Sequence, residues 1–201
     1  MEFLVRARAA PVKASQLLSS VGKGRGVEYL ADIVRNALFV SKGHRENVSV
    51  TLVFERSSDF SRILRISGSD LGSFVDLHEK AILDYIAEAL RLAEKFEKNE
   101  EIEEPGGVFV TAKSFEAYFD ERKQSSIPYL LDQKGEDIRC TEVSQDSIFV
   151  MSDHTPMPKN SKKSLINSGI RKISVGPKML HTSQCIAVVL NELDRRSDTS
   201  S

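Results

Sequence analysis

Apolar residues recur along this chain with two different periods, and segments of the two kinds take turns. Val48–Phe54 (VSVTLVF), Ser147–Met151 (SIFVM) and Ile170–Val175 (IRKISV) are short apolar runs of strand length. Between them, Leu30, Ile33, Val34 and Ala37 within 27–40 recur at the three- and four-residue spacing of one helix face. The same spacing holds for Ile82, Ile86, Leu90 and Ala93 within 77–96, and for Ile186, Val189, Leu190 and Leu193 within 185–196. Strands separated by helices join through crossovers, so the pattern predicts an α/β domain with a mostly parallel sheet flanked by helices. Ser61–Ser67 (SRILRIS) alternates and lies close enough to the preceding strand to form a hairpin with it. Further strands are expected at Met1–Arg6, at GVFVTA and at IPYLLD, the last closed by Gln133, Lys134 and Gly135; further helices are expected at Ser114–Arg122 and Lys162–Asn167. KFEKNEEIEEPGG reads as a solvated connector, GPKMLHTSQ as a loop and the terminal RRSDTSS as disordered.

At 201 residues the chain suits a single domain, 1–201, that buries its own core. No apolar run approaches the roughly 18 residues that span a bilayer, and the first residues lack the apolar region of a signal peptide, so a cytoplasmic protein without a membrane partner is expected. Cys140 and Cys185 stand in no metal-ligand spacing, which predicts neither a metal site nor a disulfide. A formal net charge of -1 rules out a general polycation. Any contact with nucleic acid must come from a local group: Lys23 with Arg25; Lys42, His44 and Arg45; or Lys159, Lys162, Lys163, Arg171 and Lys172.

Ligands of open α/β sheets collect at the carboxyl ends of parallel strands. Three such ends carry unusual residues here: Leu130 and Leu131 before Asp132; Ser152, Asp153 and His154; and Gly176, Pro177 and Lys178. None forms the glycine fingerprint of ordinary dinucleotide binding. His154 next to Asp153 invites an acid-base reading, but neighbours on extended chain point apart, which favours capping or loop bonding for the pair. Gly176 and Pro177 make a tight exit that exposes backbone N–H and C=O groups to an adenine or methionine moiety. Cys185, at a helix start, reads as packing or cofactor contact ahead of a nucleophile.

The stretch IRKISVGPKMLHTSQCIAVVLNELDRR, with FVMSDHTPMP before it, resembles the end of the TrmY-type tRNA pseudouridine-54 N1-methyltransferases of the SPOUT superfamily. Val27–Val53 and Leu77–Leu90 are similar to their counterparts there. The resemblance implies an S-adenosylmethionine-dependent RNA methyltransferase, homodimeric, with a C-terminal trefoil knot. It implies a substrate-side half at about 1–104 and a cofactor-binding half at about 105–196. By position, Leu131 (with Leu130 as a register alternative), Ser152, Val175, Gly176, Pro177, Lys178, Met179, Leu180 and Cys185 would contact S-adenosylmethionine. The apolar side of the last helix would face the core or the partner subunit.

Glu28 and Arg45 match an acidic and a basic position on the family's substrate side, Arg45 serving equally as a phosphate contact. The RNA partner implied is tRNA ahead of rRNA. Three positions depart from the family pattern: Ser152 and Pro156 replace glycines, and Asn47 replaces an aspartate. A serine Cβ is accommodated beside a cofactor more readily than a missing carboxylate is replaced in proton transfer, so the cofactor side is the better supported. These departures resemble a bacterial branch. The alternatives are a SPOUT methyltransferase for another uridine or pseudouridine in rRNA, and a noncatalytic knotted RNA-binding protein.

Overall fold

The computed structural model describes residues 1–23, 26–71 and 77–198. Arg25 of the first basic group and the tip of the tail, 199–201, lie outside the described residues. In chain order the strands are β1 (Glu2–Pro11), β2 (Phe39–Val40), β3 (Gly43–His44), β4 (Ser49–Arg56), β5 (Arg62–Ser67), β6 (Glu101–Glu104), β7 (Val108–Thr111), β8 (Ile127–Asp137), β9 (Ser147–Ser152) and β10 (Arg171–Ser174). The helices are α1 (Ala14–Ser19), α2 (Tyr29–Leu38), α3 (Glu79–Leu92), α4 (Phe115–Arg122), α5 (Lys159–Asn167) and α6 (Thr182–Asp198). No described helix is long and apolar enough to cross a membrane.

One eight-stranded sheet runs in the order β10-β8-β9-β1-β4-β5-β7-β6. The first five of these are parallel, and the rest extend the sheet antiparallel, beginning with the expected β4–β5 hairpin. β1 lies near the middle, which is why Phe3, Leu4 and Val5 form a continuous apolar run with no exposure: both faces of the strand are covered. On one face Phe3, Val5, Leu52, Phe149, Met151 and Ile173 pack with the apolar stripes of α2, α3 and α6. On the other, Leu4, Val53, Leu130, Ile148 and Val150 pack with Phe115, Tyr118 and Phe119 of α4 and Leu165 of α5.

Besides α1 and the small β2–β3 pair, which the pattern does not predict, three segments differ from expectation. The acidic connector contains a strand: Glu101–Glu104 pairs antiparallel with β7 at the sheet edge, turning through Gly106 and Gly107 at φ 94° and 75°. An edge strand tolerates such charge, and charge there discourages pairing with another chain. β8 does not close at Gln133–Gly135. It loops out through 131–135, between the partners of Lys172 and Ile173 on β10, and then rejoins the ladder to Asp137. The helix α6 continues through Arg195 and Arg196 to Asp198, because Arg196 donates from Nη1 to Thr141 O (2.8 Å) and from Nη2 to Ile138 O (2.5 Å).

Candidate functional site

The three unusual strand ends lie at the same end of the parallel sheet, since β8, β9 and β10 run in one direction. Leu131 and Val175 are partly buried on the α2/α6 face, whereas Leu130 is buried on the opposite face, which separates the two register alternatives. Gly176 sits at φ 135°, where a side chain is strained, and its amide and carbonyl both bond the Ser174 hydroxyl at 3.2 Å. Gln133 Nε2 donates to Pro177 O (2.5 Å), fastening the turn to the looped-out segment of β8. Thr182 Oγ1 donates to Ser152 O (2.6 Å), fastening the start of α6 to the end of β9. Pro177 and Lys178 are exposed and Leu180 half-buried; Met179 is 86% exposed, an unusual state for a large apolar side chain.

Two groups at this end have distinctive chemistry. The Ser152 hydroxyl is buried and has no hydrogen-bond partner among the described residues. Burial pushes the Cys185 thiol above its ordinary value, and its sulfur lies 3.9 Å from Leu180 O, both of which favour packing over a thiolate role.

Asp153 settles the reading of the Asp-His pair. Its carboxylate accepts from Thr155 N (2.7 Å), Ala9 N (3.0 Å) and Tyr29 Oη (3.0 Å), and so joins the loop after β9 to β1 and to the start of α2. Burial first, and then the Asp153 charge, push the Tyr29 phenol far above its usual range, which keeps it a protonated donor. His154 is exposed, with its ring edge-on to Tyr29 at 5.2 Å between centroids and 86° between planes.

Beside these residues opens a cavity of about 510 Å3, lined by Gly26, Tyr29, Asp32 and Ile33 from the α2 side, by His154, and by His181–Gln184 at the start of α6. Tyr29, Asp32 and His181–Gln184 are absent from the sequence-derived candidates. Their signal was the placement of Tyr29 and Asp32 three apart, flanking the apolar stripe of α2.

Glu28 and Arg45 are not among the described residues lining this cavity. Glu28 accepts from Gly22 N (2.5 Å) and so holds the segment before α2. Arg45 makes a two-pronged contact with Asp194 (2.7 and 2.6 Å). Asp194 is twelve residues along α6 from Thr182, or about 18 Å of helix rise. The structure therefore does not bring Arg45 to the strand-end residues.

Asp132, in the looped-out part of β8, takes Lys162 of α5 at 2.7 Å and Lys172 of β10 at 3.8 Å. Burial opposes its charge, but the Lys162 hydrogen bond, the Lys134 amide and the two ammonium groups hold its carboxyl below the ordinary 3.8. A folded-state value below the unfolded one stabilises above the ordinary carboxylate range, and the contribution is lost as pH falls through the lowered value. Asp132→Asn is expected to lower stability at pH 7 by about 1–2 kcal/mol, and this gap should close in melts taken progressively below about pH 4. A gap that is unchanged by acid would show that the ion pairs contribute nothing.

A mixed sheet with a pinned turn and a cavity at the carboxyl ends of its parallel strands is the layout of an α/β protein that binds a small ligand there. Across residues 1–197 the chain matches the family described as "Putative SAM-dependent RNA methyltransferase", and it belongs to that family. It is 41% identical over 192 residues to a protein of Photobacterium profundum, covering 96% of this chain and 97% of the relative. A protein of Vibrio parahaemolyticus is 40% identical over 194 residues, covering 96% and 98%. Both relatives bear the name "Putative pseudouridine methyltransferase". Among solved structures, the Nep1 protein of Archaeoglobus fulgidus, bound to S-adenosylhomocysteine, superposes with a TM-score of 0.62 over 98% of each chain at 10% identity, a likeness of fold.

Proposed function

We propose that this chain transfers a methyl group from S-adenosylmethionine to N1 of a pseudouridine in RNA, tRNA ahead of rRNA, as a cytoplasmic homodimer. In this reading residues 105–196 close as a trefoil knot around the cofactor and residues 1–104 supply the substrate side, within one domain. The observation that carries it is a cavity where the start of α2, His154 just past the β9 end and the start of α6 meet, at the end of the sheet where β8, β9 and β10 also finish.

The residues present fit the cofactor. Leu131 and Val175 offer apolar flanks beside a turn whose Gly176 amide and Pro177 carbonyl are held by Ser174 and Gln133, and Cys185 packs near Leu180. When bound, S-adenosylmethionine supplies a methyl group already activated on sulfonium. The protein's own task is then to hold the base in line and to receive the N1 proton, for which the Asp32 carboxylate lines the cavity.

Glu28 belongs to the substrate side through the segment it fastens at Gly22, and Arg45 through its brace on α6. Glu28→Ala, which removes the acceptor for Gly22 N, is expected to lower methyl transfer about tenfold by loosening that segment, with cofactor affinity unchanged; equal turnover would remove Glu28 from this role.

The test is transfer of labelled methyl from S-adenosylmethionine to RNA from cells lacking this protein, separated into tRNA and rRNA. Label in tRNA supports the reading. Label confined to rRNA moves the substrate, and cofactor binding without transfer to either overturns it in favour of a noncatalytic RNA-binding protein.

A further inference from the structure

Tyr29 and His154 meet edge-on at the wall of the cavity, their planes at 86° and their centroids 5.2 Å apart. This corner comes from opposite halves of the chain, and it is fixed. The Tyr29 hydroxyl is held by Asp153 at 3.0 Å, and Asp153 is itself held by the backbone of Ala9 and Thr155. Tyr29 therefore cannot swing away without breaking a bond to a buried carboxylate. An aromatic ring anchored by its tip and partly exposed along its body presents a flat, preformed surface. Around it the cavity supplies Asp32, Thr182, Ser183 and Gln184 as polar groups and Ile33 as an apolar one.

Resting on the RNA reading above, we propose that this corner receives the target base after it has left its stack, with the base lying against the Tyr29 ring and His154 closing the side. A base must be unstacked before a group buried in the stack can be modified, and single-stranded RNA is recognised by stacking on aromatic side chains. A cavity of about 510 Å3 has room for a pyrimidine with its ribose. The competing planar guest is the adenine of S-adenosylmethionine, and the two guests predict opposite results.

The experiment compares the unaltered protein with Tyr29→Phe, Tyr29→Leu and His154→Gln. Affinity for S-adenosylhomocysteine is measured by calorimetry, and KM and kcat by labelled methyl transfer to total RNA from cells lacking the protein. Tyr29→Leu should raise the KM for RNA about tenfold or more, and His154→Gln by a smaller factor, while S-adenosylhomocysteine affinity stays within about twofold. Tyr29→Phe, which keeps the ring, should restore the RNA KM to within about threefold of the original, an outcome that a role limited to the Asp153 hydrogen bond would not give.

An unchanged RNA KM in Tyr29→Leu overturns the proposal. Loss of S-adenosylhomocysteine affinity in Tyr29→Leu overturns it too, by assigning the corner to the cofactor adenine. Absence of transfer by the unaltered protein defeats the functional reading itself, and the inference with it.

Discussion

Gly135→Val should give a protein that folds but binds S-adenosylhomocysteine about 100-fold more weakly. A Cβ at Gly135 would stand 2.5 Å from the amide nitrogen of Ile173, 2.6 Å from its carbonyl carbon and 2.7 Å from its Cα. All three are backbone atoms of β10 and cannot move aside as a side-chain tip can. The strand must shift, and β10 leads within three residues of Ile173 to Gly176 and the turn pinned by Ser174 and Gln133. Gly135 is also where β8 rejoins the ladder after its excursion through 131–135, so a bulky residue there disturbs both Leu131 and Val175. β10 is an edge strand, so the sheet should persist, although Ile173 is fully buried in the α2/α6-side core and some stability goes with the shift. Calorimetry and a thermal melt on the same sample check this. Unchanged affinity would detach the β10 exit from the cofactor site.

Asp153→Ala should lower stability by about 3–5 kcal/mol, seen as a fall of about 10 °C or more in Tm. The residue is 8% exposed and serves three donors from three parts of the chain. Truncation strips the Ala9 amide, the Thr155 amide and the Tyr29 hydroxyl of their acceptor, and leaving buried donors unpaired costs about 1–3 kcal/mol each. Asp153→Asn keeps one acceptor oxygen but turns an N–H group toward the donors, so its loss should fall between the two. A change within about 1 °C for Asp153→Ala would mean that water replaces the carboxylate and that the junction of β1, β9 and α2 does not depend on it.

Much of the architecture was legible because burial writes itself into periodicity. The stripes of α2, α3 and α6 and the apolar runs of β4 and β9 each describe a contact with one dominant layer, and the strand-end residues follow from sheet direction. β6 was hidden because an edge strand needs only one paired side, which Ile102 and four backbone positions satisfy despite the glutamates. Gln133–Lys134–Gly135 carries a turn signal that is locally correct, since the chain does leave the ladder there. Its return depends on β10, some forty residues later, and no local pattern records that.

The candidate site divides in the same way. The strand ends at Leu130–Asp132, Ser152–His154 and Gly176–Lys178 follow from sequence order and sheet direction, whereas Val175, Met179 and Leu180 enter only through the family resemblance. The roles of Asp153 and Tyr29 come from hydrogen bonds spanning 124 and 144 residues, which sequence spacing cannot show. Arg45 illustrates the converse: its charge type suited a phosphate contact, but its partner is Asp194 on α6.

The central claim is the reaction, and digestion of methyl-labelled RNA to nucleosides, with mass spectrometry of the labelled fraction, tests it most directly. RNA from cells lacking the protein is incubated with it and with S-adenosylmethionine carrying a heavy methyl group. The predicted result is a heavy methyl on N1 of pseudouridine; a heavy methyl on any other atom or nucleoside, or none on RNA at all, would contradict it.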